Sequence, residues 1–313
     1  MQKPWLDRRA LIAAGLSVTA WPAFAQGGIQ DAVPDPAPQI AEGDRYDRGV
    51  VEVHLNDRGP YRFAVDTAAS ASVIASDLVE PLDLRPGGEL DMHTVVGLER
   101  VQLVRARTVR SGSMAAVNAR LAVGDRRGLL GLDGLIGLDL LADQRLTMRF
   151  RGRRRAAITR SRPDNDAFLG AVRPRVRFEP LREGSNVRLM VVDVIVRGQH
   201  AAAIIDTGAQ VSLINPALAR AAGARPLILR SAETGRSIQS PTGRAAPAEP
   251  MAVDAVHFDS LVLDRLAVLS GDFHIFRYLG FADAPAMLLG MDVLGVFEKV
   301  AIDLKRGEMV MEL

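Results

Sequence analysis

Residues 63–74, FAVDTAASASVI, and residues 203–214, AIIDTGAQVSLI, repeat one pattern at a constant offset of 140 residues. In each segment an apolar run ends abruptly in Asp-Thr, at Asp66 and at Asp206, and small residues follow before a Ser-aliphatic-Ile stretch. An ionised carboxylate at the end of an apolar run must be desolvated unless it points into a cleft. The pattern therefore indicates two carboxylates that are placed for chemistry rather than for stability.

A second pair of segments repeats further along the chain, LIGLDLL at 135–141 and LLGMDVL at 288–294. Short alternating strands precede each Asp-Thr, and a short helix and a closing strand are predicted after each downstream segment. The chain is therefore predicted to contain two copies of one β-rich unit, at 48–160 and 187–313, joined by a linker at 161–186.

The clearest helix signal lies in the second copy, directly after its Asp-Thr segment. Asn215 can cap the helix, Pro216 suits its first turn, and Gly223 suits its end. We therefore predict a short helix between Asn215 and Gly223.

Two carboxylates that meet across the interface between the copies cannot both ionise easily, because their like charges repel. They share one proton, so that one apparent pKa is lowered and the other is raised. Such a pair can hold a water molecule between a base, which activates the water for attack on a peptide carbonyl, and an acid, which protonates the carbonyl oxygen and later the leaving amine. We therefore interpret Asp66 and Asp206 as a candidate catalytic pair.

The segment DTGA at 206–209, with Ser212 six residues past its Asp and an apolar-apolar-Gly segment downstream, resembles one half of a retropepsin-like aspartic peptidase. Ala69 and Ala209 occupy the position where pepsin-like enzymes usually have Ser or Thr, which favours the retropepsin-like branch. Because the pattern occurs twice, the resemblance covers both copies. It implies a mainly β fold with two homologous β-barrel lobes and short helices, in an exported bacterial aspartic endopeptidase.

The resemblance also implies roles for single residues. Asp66 and Asp206 would be the catalytic acids, and the hydroxyl groups of the two threonines would hold the two turns together across the pair. The residues expected to support the pair are Thr67, Ala68, Ser72, Thr207, Gly208 and Ser212.

One departure from the family pattern is Ala68, which stands where the family has Gly. If this turn needs a left-handed backbone, alanine costs about 1–2 kcal/mol there, and a displacement of about 1 Å at the site can lower the rate about a hundredfold. Two alternatives to the enzyme therefore stay open: a peptide-binding module of the same fold that has lost turnover through Ala68, and a homodimer in which like halves pair Asp206 with Asp206. Linkage of the copies in one chain favours pairing within the chain.

Hairpins that close over a substrate strand are expected from the resemblance. Position and composition suggest residues 92–101 around Gly97 in the first copy and residues 238–244 around Gly243 in the second. Ordinary surface turns are the alternative interpretation of both segments.

The N-terminus is typical of an export signal. An uncharged run follows the charged first residues, and the small-x-small pattern of residues 23–25 predicts a mature protein that begins at Gln26. The adjacent Arg8 and Arg9 also resemble a twin-arginine signal, so both export routes stay open. The apolar run at 10–20 is shorter than the about 20 residues that a membrane span needs. We therefore predict a periplasmic protein from which residues 1–25 are removed and in which residues 26–47 form a flexible leader.

Composition narrows the choice of partners and cofactors. The chain has no cysteine, which excludes a disulfide framework and a thiolate site. Without residues 1–25 the acidic and basic residues are equal in number, which argues against nucleic acid as a partner. The histidines never have the i,i+2 or i,i+4 spacing of metal ligands. We expect no metal, no cofactor, and a two-lobed monomer that acts on an extended protein or peptide segment of the cell envelope.

Overall fold

The computed structural model of the chain describes residues 48–151, 155–162, 173–174, 176–180, 188–227, 237–258 and 261–313, together with the backbone of residues 41–42. The predicted export signal and most of the predicted leader lie outside the described residues.

Strands make up most of the described chain. In the first half they are β1 Ala41–Glu42, β2 Val50–Leu55, β3 Arg58–Val65, β4 Val73–Ala75, β5 Arg85–His93, β6 Leu98–Ser111, β7 Met114–Gly124, β8 Gly134–Ile136, β9 Gln144–Arg149 and β10 Arg155–Arg160. In the second half they are β11 Val176–Pro180, β12 Arg188–Val196, β13 Gln199–Ile205, β14 Leu213–Ile214, β15 Arg225–Pro226, β16 Ser237–Gln239, β17 Ala245–Pro247, β18 Glu249–Phe258, β19 Leu261–Ser270, β20 Ala286–Leu289, β21 Lys299–Asp303 and β22 Glu308–Glu312.

The helices are short. They are α1 Leu138–Leu141, α2 Pro216–Ala221, α3 His274–Tyr278, α4 Met291–Leu294 and a 3-10 turn at Ser76–Leu78. In α2 the side chain of Asn215 accepts a hydrogen bond from the amide of Leu218 (2.8 Å), and Gly223 follows the helix with φ of +59°. The helix predicted between Asn215 and Gly223 is therefore confirmed. Within the described ranges no helix is long and apolar enough to cross a bilayer.

The first copy forms a closed six-stranded barrel. Its strands follow the order β2-β3-β8-β4-β7-β6, and pairing of β6 with β2 closes the ring, while β5 extends it beyond β6. Alternation explains the fold, because Val51, Val53 and Leu55 of β2 are fully buried while the residues between them are partly exposed.

The second copy repeats this topology strand for strand. Its ring follows the order β12-β13-β20-β14-β19-β18, and pairing of β18 with β12 closes it. The added strands differ, since β11 and β15 extend this sheet at its two ends. The prediction of a mainly β fold with two homologous barrel lobes is confirmed.

A third sheet joins the two lobes and was not predicted. Its order is β1-β10-β9-β21-β22, so the closing strand of the first copy, β9, pairs with the closing strand of the second, β21. Leu146 lies opposite Ile302 and Met148 opposite Val300, and all four side chains are buried. The two copies therefore share a hydrophobic core in addition to their own barrels.

Two segments that were predicted to lack regular structure contribute strands. Ala41–Glu42 of the predicted leader pairs with β10 in the shared sheet, and β11 of the predicted linker pairs with β12. Val176 and Phe178 are partly buried hydrophobic residues that pack against the core. These two residues alternate with charged neighbours, which is the pattern of a strand. The segment with this pattern is short and lies between polar segments.

Candidate active site

Both aspartates of the repeat lie at the same place in their lobes. Strand β3 ends at Val65 and strand β13 ends at Ile205, each directly before its aspartate. The amide of Asp66 donates to the carbonyl of Ile136 (2.9 Å), and the amide of Asp206 donates to the carbonyl of Leu289 (2.9 Å). The downstream apolar segment of each copy therefore fixes the backbone from which the carboxylate projects.

The two turns hold their carboxylates in the same manner. Oδ1 of Asp66 accepts hydrogen bonds from the amides of Ala68 (2.9 Å) and Ala69 (2.8 Å). Oδ1 of Asp206 accepts from the amides of Gly208 (2.8 Å) and Ala209 (3.0 Å). Oδ2 of Asp66 also lies against the turn of the other lobe, 2.4 Å from where a Cβ atom on Gly208 would be, and each carboxyl group shifts the pKa of the other. The structure therefore brings together the two aspartates that the sequence repeat singled out.

Thr67 and Thr207 join the two turns across this contact. The hydroxyl of Thr67 donates to the carbonyl of Ile205 (2.7 Å) and accepts from the amide of Thr207 (3.2 Å). The hydroxyl of Thr207 donates to the carbonyl of Val65 (2.7 Å) and accepts from the amide of Thr67 (3.2 Å). Because both side chains are fully buried, these four bonds are shielded from water and hold the aspartates at a set separation.

The two carboxyl groups differ in their affinity for a proton. Burial, and after it the negative charge of Asp66, raises the pKa of Asp206 well above its usual value. Burial also raises the pKa of Asp66, but the amides of its own turn and the positive charge of Arg48 oppose this rise. Both pKa values are therefore raised, and that of Asp206 is raised further than that of Asp66.

Gly208 is required for space rather than for backbone conformation. A Cβ atom on Gly208 would lie 2.4 Å from Oδ2 of Asp66 and 2.5 Å from its Cγ. Neither Gly208 nor Ala68 has a positive φ angle. The cost of a left-handed backbone that was considered for Ala68 therefore does not apply. The relevant quantity at this position is the distance from the methyl group of Ala68 to the carboxylate of the other lobe.

Ser72 and Ser212 fix the downstream segments behind the turns. The hydroxyl of Ser72 donates to Oδ1 of Asp139 (2.7 Å), and the hydroxyl of Ser212 donates to Oδ1 of Asp292 (2.7 Å). Each hydroxyl also accepts a hydrogen bond of 3.0 Å from the amide of the glycine two residues before that aspartate. Sequence reasoning assigned no role to Asp139 and Asp292, although both downstream segments carry this aspartate and the repeat itself could have revealed it.

Burial raises the pKa of both Asp139 and Asp292, and their hydrogen bonds to the serines oppose this rise. The glycines of the downstream segments leave room for the turns. A Cβ atom on Gly137 would lie 2.8 Å from the carbonyl oxygen of Ala69, and one on Gly290 would lie 2.9 Å from the carbonyl carbon of Val211. Each turn therefore rests directly on the backbone of its downstream segment.

The predicted flap segments are both hairpins. Strands β5 and β6 pair throughout, and their connecting turn closes with a hydrogen bond from the amide of Thr94 to the carbonyl of Gly97 (2.9 Å). Strands β16 and β17 flank a turn in which the amide of Ser240 donates to the carbonyl of Arg244 (2.8 Å) and Gly243 has φ of +88°. We call the hairpin of β5 and β6 the first-lobe hairpin, and the hairpin of β16 and β17 the second-lobe hairpin.

The two hairpins contact each other across the lobe boundary. The carboxylate of Glu99, which is buried, accepts hydrogen bonds from the hydroxyl of Thr94 (2.8 Å) in its own hairpin and from the hydroxyl of Thr242 in the other. The guanidinium of Arg244 donates to the carbonyl of Leu98 (3.3 Å). Neither turn is therefore an isolated surface turn.

The first-lobe hairpin also contacts helix α3 of the second lobe. Nδ1 of His93 lies 2.9 Å from Nε2 of His274, and the ring of His93 stacks on Tyr278 with a centroid separation of 3.6 Å. The amide of His274 donates to the carbonyl of Val95 (3.1 Å). Two separate elements of the second lobe thus contact this one hairpin.

In the part of the chain that the structure describes, no three His, Asp or Glu side chains are grouped so that they could hold a metal ion. A family model described as aspartyl protease matches residues 51–140 and 192–293, which together are more than half of the chain. The two matched ranges contain the two Asp-Thr turns and all but the last residue of each downstream segment. No curated protein matches the chain.

Proposed function

The chain belongs to the aspartyl protease family, and we propose that it is an endopeptidase which hydrolyses peptide bonds with a water molecule activated between Asp66 and Asp206. One observation carries this proposal: the carboxyl groups of the two lobes lie close enough to shift each other's pKa, and buried threonines hold their turns together. Enforced contact between like charges costs stability, and such arrangements concentrate at functional sites.

The difference in proton affinity assigns the two roles. Asp66 is ionised and accepts a proton from the water, while the oxygen of this water attacks the peptide carbonyl carbon. Asp206 donates its proton to the carbonyl oxygen. The product of this step is a neutral diol with the C–N bond intact. Asp66 then protonates the amide nitrogen, Asp206 takes a proton from one hydroxyl, and the C–N bond breaks. A carboxylic acid and an amine leave, and the pair regains its single proton on Asp206.

The two hairpins support an extended peptide as the substrate. Extended chains bind by adding to exposed strand edges, where main-chain hydrogen bonds supply affinity and side-chain pockets supply specificity. The first-lobe and second-lobe hairpins are the predicted flaps, and they meet where the two lobes approach each other. On this proposal Gly97 and Gly243 lie in the turns that move apart when a substrate enters.

Export is also part of the proposal. The uncharged run after the charged N-terminus and the small-x-small pattern at 23–25 support removal of residues 1–25 and a periplasmic mature protein. The substrates would then be proteins of the cell envelope. Mass spectrometry of the protein isolated from its native cells should show a chain that begins at Gln26, and an intact Met1 would contradict export by cleavage.

The decisive experiment compares three single variants of the whole chain. Asp66→Asn and Asp206→Asn should each abolish cleavage of a mixed peptide library from mildly acidic to neutral pH, because neither carboxyl group alone can serve as both base and acid. The exposed Asp283 provides a matched control, and Asp283→Asn should cleave as the wild type does. Circular dichroism should show that all three variants fold.

The alternatives predict other results. If the wild type and Ala68→Gly were both inactive while folded, the chain would be a peptide-binding module. If Asp206→Asn were inactive and Asp66→Asn fully active, pairing of like halves between two chains would be favoured over the pair within one chain.

A further inference from the structure

Three neighbouring strands of the first lobe carry arginines directly opposite one another. In the register of the sheet, Arg85 of β5 faces Arg105 of β6, and Arg105 faces Arg120 of β7. Residues opposite each other across antiparallel strands point to the same face, and like charges in such pairs are destabilising. A row of three arginines in this arrangement is unfavourable unless an anion binds to it.

Beside this row lies a cavity of about 230 Å³. Its wall includes four arginines and a single carboxylate among the described residues, Asp83. The four arginines are Arg58, Arg85, Arg105 and Arg107. The cavity therefore carries a net positive charge.

The floor and rim of the cavity are held in place. The buried Asn56 lies at the floor, where its Oδ1 accepts from the amide of Arg107 (2.7 Å) and its Nδ2 donates to the carbonyl of Leu82 (3.3 Å). At the rim, the guanidinium of Arg58 donates to the carbonyl of Pro81. The backbone that presents the arginines is therefore cross-linked by polar contacts rather than being a loose surface loop.

Among the described residues, the arginines of the row have no protein counterion, whereas other arginines of the same lobe do. Arg100 pairs with Glu89, and Arg110 pairs with Asp57. By contrast, within the described chain the side chains of Arg85, Arg105, Arg107 and Arg120 form neither an ion pair nor a hydrogen bond. Their guanidinium groups are exposed and available to a ligand.

We propose that this cavity is a binding site for a ligand that presents two phosphate groups, or one doubly charged phosphate monoester. Guanidinium groups bind phosphate through paired N–H donors, and arginine suits this better than lysine because its donors form a fixed fork. The cavity volume of about 230 Å³ is larger than the volume of a few water molecules, each of which occupies about 30 Å³ in the liquid. It is smaller than the about 300–1,000 Å³ that is typical of sites for whole organic ligands. It suits phosphate groups rather than a large organic body.

The proposed site is separate from the candidate active site and does not depend on the proposed function. Arg105 lies seven residues along β6 from Leu98, at the tip of the first-lobe hairpin, which corresponds to about 23 Å at about 3.3 Å per residue. The arginines therefore lie at the base of this hairpin. Soluble pyrophosphate and the headgroup of a phosphate-bearing lipid share this ligand chemistry.

Calorimetric titration of the whole chain with pyrophosphate at low salt is the first test. Wild type should bind one pyrophosphate, and Arg85→Gln/Arg105→Gln should lower the association constant about tenfold or more, since it removes two guanidinium groups that can form charge-assisted hydrogen bonds to phosphate. Arg220→Gln/Arg265→Gln, two exposed arginines of the second lobe, makes the same change in net charge and should leave binding unchanged. Circular dichroism should show that both double variants fold.

Co-sedimentation with vesicles separates the two sources of phosphate. Binding to phosphatidylcholine vesicles that contain phosphatidic acid, lost in the Arg85→Gln/Arg105→Gln variant, would support a lipid headgroup as the ligand. Binding of pyrophosphate without binding to vesicles would support a soluble ligand. The proposal is overturned if neither probe binds wild type, or if the second-lobe control variant loses binding as fully as the first-lobe variant does.

Discussion

A Cβ atom on Gly208 would lie 2.4 Å from Oδ2 of Asp66, so the carboxylate of one lobe occupies the space that a larger residue of the other lobe would need. Asp66 cannot easily move aside, because two amides of its own turn hold its other oxygen. The repeat places Ala68 at the equivalent position of the first lobe. The two halves of the site therefore differ in the residue at this position, which is Ala68 in the first lobe and Gly208 in the second.

We expect Gly208→Ala to fold and to lose most of its peptidase activity. Its methyl group must displace Asp66, and a displacement of about 1 Å can lower the rate about a hundredfold. Ala68→Gly is the matched change, and it should leave kcat/KM unchanged or raise it, because it gives the first lobe the glycine that the second lobe has at this position. Measurement of kcat/KM on one peptide for both variants checks this. Full activity in Gly208→Ala would show that the close approach at this turn has no consequence.

The charge of Arg48 should set the acidic limb of the pH profile. This buried cation favours the ionised form of Asp66 and opposes the rise of its pKa. Arg48→Gln should therefore raise the pKa of Asp66 and move the acidic limb of kcat/KM to higher pH, because the pair then keeps its second proton to higher pH. Arg48→Lys retains the charge and should leave the limb in place. A pH profile that is the same in all three proteins would refute this electrostatic role.

The serines behind the turns should contribute to stability. Ser72→Ala and Ser212→Ala each remove one hydrogen bond from a buried carboxyl group, which keeps its backbone partners, and leave a buried glycine amide without its bond. An unsatisfied buried polar group costs about 1–3 kcal/mol. Urea unfolding should show each variant destabilised by about that amount. The exposed Ser76 is the control, since Ser76→Ala should change the free energy of unfolding by less than about 0.5 kcal/mol. Equal stabilities of all three variants would argue against the role inferred for these bonds.

The contact between His93 and His274 should make the first-lobe hairpin sensitive to pH. Burial, and after it the charge of Arg277, lowers the pKa of His274. A histidine whose pKa is lowered in the folded state stabilises the contact in its neutral form, at pH values above its usual pKa. This stabilisation is lost as the pH falls through the lowered pKa. When both rings are protonated, neither nitrogen can accept the bond of 2.9 Å.

Hydrogen exchange of the His274 amide, which donates to the carbonyl of Val95, measures this contact. Its protection should fall as the pH drops below about 6.5, the usual pKa of histidine, because the pKa of His274 is lowered. Asp272 forms an ion pair with Arg277 beside the histidine. His274→Gln should have protection that is independent of pH. Protection that falls equally in wild type and His274→Gln would assign the effect to another group.

The amino-acid sequence by itself determined the duplication, the barrel fold, the positions of Asp66 and Asp206, and the helix after Asn215. These features follow from local patterns, because an alternating strand, a capping residue or a small-residue turn is specified by residues at adjacent positions. Most of these patterns occur twice in the chain. The repeat also contained Asp139 and Asp292, whose recurrence was a signal that sequence reasoning did not use.

Only the tertiary structure decided the features that depend on residues distant in the chain. The unequal rise of the pKa values of Asp66 and Asp206 depends on the burial of both carboxyl groups and on the nearby charge of Arg48. The space requirement at Gly208 involves an aspartate from the other lobe, and the row from Arg85 to Arg120 exists only in the register of three strands. Desolvation, steric contact and strand register are properties of the packed chain, and no local pattern of residues specifies them.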